Sequence, residues 1–315
     1  MNHSLTVKMN YKWNILNNKL IAVLTLQIVI ICCVEELTTD NPEDGHYRLA
    51  SIDHCGLQHS DDYFHLTNKT EITEFPWLAR IGYRRNGENY DQFLCLGSLI
   101  TSRHVLTAAQ CLDDNLKPTI IRLGEYHSYN STDCAYYASI KAEECSDAQD
   151  FGVEKIIRHH GYINETGGVH DIGLIKLDQV VGYTDYIRPI CLIPPANEKS
   201  GSELKNLTIG AWGWSKQHFS TYHRTKIKLE SPVDITPREE CVSRSATLQD
   251  NQVCATYVND KVCLYDNGGP LIFSYNYQWF QEGVVLSGKR NCFVAIPPFR
   301  YTSVSAYIDW INENL

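Results

Sequence analysis

The chain has 315 residues, 43% hydrophobic and 21% charged. This is globular composition, long enough to bury a sizeable core in one large domain or two small ones packed together. The formal net charge is −9 and no long basic run occurs, so nucleic acid is excluded as an expected partner.

At the N-terminus, Lys8, Lys12 and Lys19 precede an apolar run from Leu20 to Val34, and the first acid is Glu35. Basic, then apolar, then polar sequence predicts a secretory signal peptide over residues 1–34 and a secreted, extracellular protein with no membrane attachment after its removal. The run contains Thr25 and Gln27 and is short for a membrane span of roughly 20 residues; an uncleaved signal anchor is the alternative. Residues 35–62 are polar and lack hydrophobic periodicity, so they read as an N-terminal arm ahead of a body over 63–315.

From Pro76 onward, short β-rich runs alternate with Gly, Pro, Asn and Asp. Ser98–Ile100, Ile120–Leu123, Ile172–Leu177, Leu207–Trp212 and Gly283–Leu286 are examples. Many short strands at this spacing predict an all-β sandwich or barrel. Val304, Tyr307, Ile308 and Ile311 follow the i, i+3, i+4, i+7 pattern and predict one helix within Ser303–Leu315.

Of 12 cysteines, Cys32 and Cys33 lie in the apolar run and ten follow. An even number in a secretory chain suggests five disulfides, whose pairing the count alone leaves open. No C-x-x-C pair occurs, which argues against a metal cluster. After the leader four N-x-[ST] sequons, at Asn68, Asn130, Asn164 and Asn206, predict some glycosylation. His159, His160 and His170 have no supporting ligand pattern and read as loop or surface histidines.

Several segments become specific when taken together. They are Phe75-Pro76-Trp77, Cys95 to Ile100, Leu106-Thr107-Ala108-Ala109-Gln110-Cys111 and His170 to Leu177. Arg188 to Leu192, Cys263-Leu264-Tyr265-Asp266-Asn267-Gly268-Gly269-Pro270 and Tyr307 to Ile311 follow in order. Over about residues 55–315 the chain resembles the trypsin/chymotrypsin-like serine proteases. The resemblance implies two packed six-stranded antiparallel β-barrels with a C-terminal α-helix.

It also implies where the chemistry would sit. That mechanism needs a serine hydroxyl, an imidazole to take its proton and a carboxylate to orient the imidazole. Asp171 stands at the carboxylate position, but Gln110 replaces the base and Asn267 the nucleophile. An amide has no useful basicity near neutral pH, and a carboxamide is a very poor nucleophile. Tyr265 replaces a glycine that shapes the oxyanion hole, Lys261 stands at the base of the specificity pocket, and Phe299 replaces a glycine that keeps the pocket open. The activation junction falls at Tyr63-Phe64, which lacks a basic cleavage residue. Asp266 therefore loses the terminal ammonium it would otherwise meet and is expected to find another partner or solvent. The residue pattern predicts a pseudo-enzyme, with Asp171 kept for its hydrogen bonds.

The implied disulfides are Cys55–Cys191, Cys95–Cys111, Cys134–Cys145, Cys241–Cys254 and Cys263–Cys292. The third resembles the extra loop bridge of arthropod clip-domain proteases, although the six cysteines of a clip do not precede it. No metal or other cofactor is expected, with calcium in the loop after Glu125 left open as the alternative. The favoured function is a secreted, non-catalytic homologue that binds proteins, either cascade proteases or their substrates, in melanisation or another innate immune cascade. A decoy inhibitor of venom or saliva, a weakly active repurposed hydrolase and a structural glycoprotein are the alternatives.

Overall fold

The computed structural model describes residues 47–58, 70–85, 90–113, 117–130, 132–137, 141–163, 168–192, 207–217, 221–244, 248–258, 262–264, 266–286 and 298–315. The expected leader, the junction at Tyr63 and Phe64, the sequons Asn68, Asn164 and Asn206, and Lys261, Tyr265 and Cys292 lie outside the described residues.

Two closed barrels carry the fold. The first is built from β1 (Leu78–Tyr83), β2 (Gln92–Leu99), β3 (His104–Thr107) and β4 (Pro118–Leu123). A two-stranded hairpin of β5 (Thr132–Tyr137) and β6 (Ala142–Asp147) follows, and β7 (Gln149–Arg158) and β8 (Gly173–Leu177) complete the barrel in the order β1-β2-β3-β8-β7-β4. All six residues of β1 are buried, because it is hydrogen-bonded on both sides and faces core on both faces. Irregular register at Ile81/Gly82 against β2 and at Gly82/Tyr83 against β4 marks bulges, which let a short strand curve into a closed barrel.

The second barrel starts with β9 (Leu207–Ala211). A small side sheet takes β10 (Trp214–Gln217) and β11 (Thr221–Arg224), followed by β12 (Leu229–Ile235), helix α1 (Arg238–Arg244), β13 (Gln252–Tyr257) and β14 (Val262–Cys263), which joins the side sheet. Strands β15 (Pro270–Tyr275), β16 (Gln278–Val285) and β17 (Phe299–Ser303) close this barrel in the order β12-β13-β17-β16-β15-β9. The chain ends in a 3₁₀ turn, Ser305–Tyr307, running into α2 (Ile308–Glu313). All five β-rich runs read from the sequence are strands. Helix α1 escaped that reading because it is only about two turns long: among its described side chains Cys241 alone is buried, and Glu239 and Glu240 supply the favourable first-turn charge.

The barrels meet at an aromatic seam. Phe75 and Trp77 lead into β1, and Trp279 belongs to β16, with ring centroids 5.6–6.2 Å apart. Gly210 of β9 admits Phe75, since a Cβ there would lie 2.6 Å from the Phe75 ring. Phe75 itself sits at φ 50°, a conformation a bulky residue adopts only when packing over-determines it. Across the same seam Ser98 of β2 donates its hydroxyl to Gln281 of β16.

Among the described residues four disulfides join Cys55–Cys191, Cys95–Cys111, Cys134–Cys145 and Cys241–Cys254. The first closes 136 residues of sequence. Around it the described part of the arm docks on the body: Gly56 N–H donates to Pro189 O and Trp279 N–H to Gly56 O. Among the described residues no helix is long and apolar enough to cross a membrane.

Phe75→Ala is expected to lower stability by about 3–5 kcal/mol, the cost of emptying a fully buried aromatic site. It would be measured as a lower denaturant midpoint at unchanged slope.

Candidate functional site

The site lies where β3 hands the chain to a 3₁₀ turn, Ala109–Leu112, and where the segment before β8 comes alongside it. The Cys95–Cys111 bridge pins the turn to β2. This places Gln110 so that its backbone N–H donates to Asp171 Oδ1 at 2.8 Å and its side-chain Nε2–H donates to Asp171 Oδ2 at 2.9 Å. Asp171 is 2% exposed. Burial raises its pKa to about 7, against the opposing pull of the backbone N–H groups of Gln110 and Ala109 and of the Gln110 side chain. Thr302 of β17 donates its hydroxyl to the Asp171 carbonyl at 2.9 Å, so the second barrel holds the same residue from behind.

Asn267 is brought to this junction by its main chain. Its carbonyl accepts Leu96 N–H at 2.8 Å and lies 3.6 Å from Cys111 Sγ. The next residue, Gly268, has φ +81°, and a Cβ on it would fall 2.2 Å from Thr107 Oγ1 and 2.4 Å from Leu96 O. Only glycine fits that turn. The structure thus assembles Gln110, Asp171 and Asn267 at one place. Their arrangement supplies a buried carboxylate capped by amide donors, and among these three side chains no imidazole or hydroxyl is present.

Asp266 has the partner expected of it: its Oδ2 accepts Trp212 N–H at 3.1 Å, and its charge reaches the Arg80 guanidinium. Arg80 is buried, lies over the rings of Phe93 and Trp212 at 4.5 and 5.3 Å, and pairs with Glu125 Oε2 at 3.2 Å. Arg122 reaches the same oxygen at 3.4 Å. Burial pushes the Glu125 carboxyl up and the Arg80 guanidinium down, and their attraction opposes both shifts.

This geometry bears on calcium. Glu125 Oε1 and Asp133 Oδ1 are buried without a hydrogen-bond partner, but calcium takes 6–8 oxygen ligands. Here the other Glu125 oxygen faces two guanidinium groups, and Asp133 Oδ2 accepts the amides of Tyr126 and His127. The described residues show Glu125 as an ion-paired carboxylate, and residues 131 and 138–140 of the loop after it lie outside the described residues.

Phe299 is buried, edge-on to Tyr257 at 5.2 Å, and Tyr257 OH accepts Leu264 N–H at 2.8 Å. An aromatic pair therefore stands where the resemblance puts one wall of the pocket. Asn130 is exposed in the turn before β5.

Two features escaped the sequence reading. Leu286 is buried at the carboxylate: a Cβ on Gly168 would meet Leu286 Cδ2 at 2.9 Å and Asp171 Cβ and Oδ2 at 3.5 Å. Its hydrophobicity signalled a strand and nothing more. His159, expected at the surface, is instead buried in a column. Its ring stacks between His160 at 4.6 Å and His170 at 4.7 Å, with Tyr307 and Trp310 closing the side. A local pattern could not show this, because α2 and the segment before β8 meet it only in the folded chain. Among the described residues the one group with metal-ligand spacing is Cys134, Glu143 and Cys145, and its two sulfurs are joined as a disulfide.

Two closed antiparallel barrels with these residues at their junction define a trypsin-like double barrel. Residues 66–311 match the family model described as Trypsin, and the chain belongs to that family. It is 36% identical over 304 residues to CLIP domain-containing serine protease B10 of Anopheles gambiae, covering 91% of this chain and 80% of that protein. It is 35% identical over 273 residues to Phenoloxidase-activating factor 1 of Holotrichia diomphalia, covering 83% and 72%. The crystal structure of the Drosophila Grass clip serine protease of the Toll pathway superposes with a TM-score of 0.70 at 26% identity, covering 89% of this chain and 77% of that one.

Two measurements test the site. In the folded state Asp171 keeps a proton up to about pH 7, whereas the unfolded carboxyl releases it near pH 4. Wild-type stability therefore falls as pH rises through that window and levels off above it. Asp171→Asn removes the dependence, so the variant is expected to gain on the order of a few kcal/mol relative to wild type between pH 4 and pH 8, read from denaturation at both ends. Arg80→Met leaves Glu125 buried with a weaker partner and should cost about 3–5 kcal/mol, read the same way at pH 7.

Proposed function

We propose that this chain is a secreted, non-catalytic member of its family that acts by binding proteins, as a regulator or cofactor in an extracellular protease cascade of the melanisation or innate immune kind. The carrying observation is the Gln110 amide seated on Asp171, where proton transfer would require an imidazole. An amide donating to a carboxylate has no basicity to offer a nucleophile, and Asn267 is a very poor one. Loss of two such groups leaves at most a weak residual rate from binding alone.

Binding is the role this fold can keep. Its disulfides and barrels form a braced scaffold, and loops on a rigid scaffold carry recognition. The resemblance to phenoloxidase-activating and clip proteases supports a cascade setting, and the disulfides support an oxidising compartment. In this reading residues 1–34 are a removed leader, 35–62 a tethered arm and 63–315 the binding body, with exposed Asn130 a glycan site.

The purified chain is expected to hydrolyse no member of a peptide and ester panel above the buffer rate, and to take no label from a fluorophosphonate probe. Turnover that disappears in Asp171→Asn would overturn the proposal.

A further inference from the structure

Disulfide exchange needs a sulfur that an incoming thiolate can reach. Among the described bridges, Cys55–Cys191, Cys95–Cys111 and Cys241–Cys254 join buried residues. Cys134–Cys145 differs, because both of its residues are exposed. The bridge crosses β5 and β6, a two-stranded sheet that belongs to neither barrel. Side chains alternate between the faces of a strand. Thr132, Cys134 and Tyr136 therefore share one face with Asp147, Cys145 and Glu143, and all six residues are exposed. Asp133 and Ser146, on the other face, are buried.

The hairpin has supports besides its bridge. Asp133 Oδ2 accepts the Tyr126 and His127 amides, both at 2.8 Å. Thr132 Oγ1 donates to Asp147 Oδ1 at 2.6 Å, and Tyr186 OH donates to Glu144 Oε1 at 2.7 Å. These contacts keep Cys134 opposite Cys145 when the S–S bond is open, so closing it again is an intramolecular step. Beyond the bridge the pairs Tyr136↔Glu143 and Tyr137↔Ala142 end the ladder. A two-stranded ribbon is marginal in water, so the bridge controls the order of this outer end, which carries the exposed ring of Tyr136. A carboxylate oxygen of Glu143 lies within 4.8 Å of both sulfurs. Its charge opposes the approach of a thiolate, most strongly one that carries further negative charge.

We propose that Cys134–Cys145 is a thiol-exchange site, opened by a dithiol reductant and closed by a disulfide oxidant while the buried bridges stay intact, with Glu143 screening it against anionic thiols. One thiolate of the reductant attacks a bridge sulfur. The S–S bond breaks, a mixed disulfide forms, and the other cysteine leaves as a thiolate and takes a proton. The second thiol of the reductant, having lost its proton, displaces the bound cysteine and closes the reductant's own disulfide. Two electrons and two protons pass to the cysteines, and the reductant is oxidised.

The site needs neither turnover nor a protein partner, so it stands or falls separately from the proposed function. The full native chain would be treated with dithiothreitol at neutral pH, quenched with N-ethylmaleimide at intervals and mapped by mass spectrometry. Cys134 and Cys145 should take label together, at least about tenfold faster than Cys55, Cys95, Cys111, Cys191, Cys241 or Cys254. Oxidised dithiothreitol in excess should then restore the bridge. Label on any of those six as fast as on Cys134 and Cys145, no label on Cys134 and Cys145 before the chain unfolds, or failure to re-form the bridge would overturn the site. Cysteamine, a cationic thiol, should open the bridge faster than glutathione at equal thiolate concentration. Glu143→Gln, at an exposed position, should speed the glutathione reaction about threefold. An unchanged glutathione rate in that variant would overturn the role given to Glu143.

Discussion

A carboxylate buried at the junction of two barrels has to be met by donors or it destabilises everything packed around it. In this chain that demand falls on Asp171, and Gln110 answers it twice, through its backbone and its side chain. Thr302 reaches the backbone carbonyl of the same residue from the second barrel, and Leu286 is buried nearby, beside Gly168. The carboxylate is met from the first barrel and the backbone carbonyl of the same residue from the second, so Asp171 links the two halves of the body. The raised pKa records what remains unpaid after those bonds: burial still outweighs the donors.

The same junction is held together independently of the side chains it carries. Asn267 is held by its carbonyl and by the glycine that follows it, and neither contact involves its side chain. The Cys95–Cys111 bridge likewise positions Gln110 through the backbone. Side chains hung on such a frame can change without opening the fold, so the frame is kept for packing reasons whatever the side chains do. An amide in place of an imidazole keeps a donor towards the carboxylate and discards the base.

Charge elsewhere is organised by the same rule. Arg80 is sunk against Phe93 and Trp212, pairs with Glu125 and lends its field to Asp266. A guanidinium tolerates this burial because it is weakly hydrated and stacks on aromatic faces. In the histidine column, burial keeps the His159 ring uncharged near neutral pH.

The sequence by itself determined the strands, the closing helix and the identities of Gln110, Asp171 and Asn267 at positions that matter, because strand alternation, helical period and short motifs are local signals. It also implied the cysteine partners, through the resemblance and not through spacing. The rest was decided only in the tertiary structure. That Gln110 caps Asp171, that Leu286 lies against it, that Arg80 takes Glu125 and that His159 is buried between two other histidines all depend on residues far apart in sequence. So does the protonation of Asp171, since desolvation is a property of the folded surroundings and no residue carries it alone. Sequence names the groups; their burial and neighbours, which only folding supplies, decide what those groups can do.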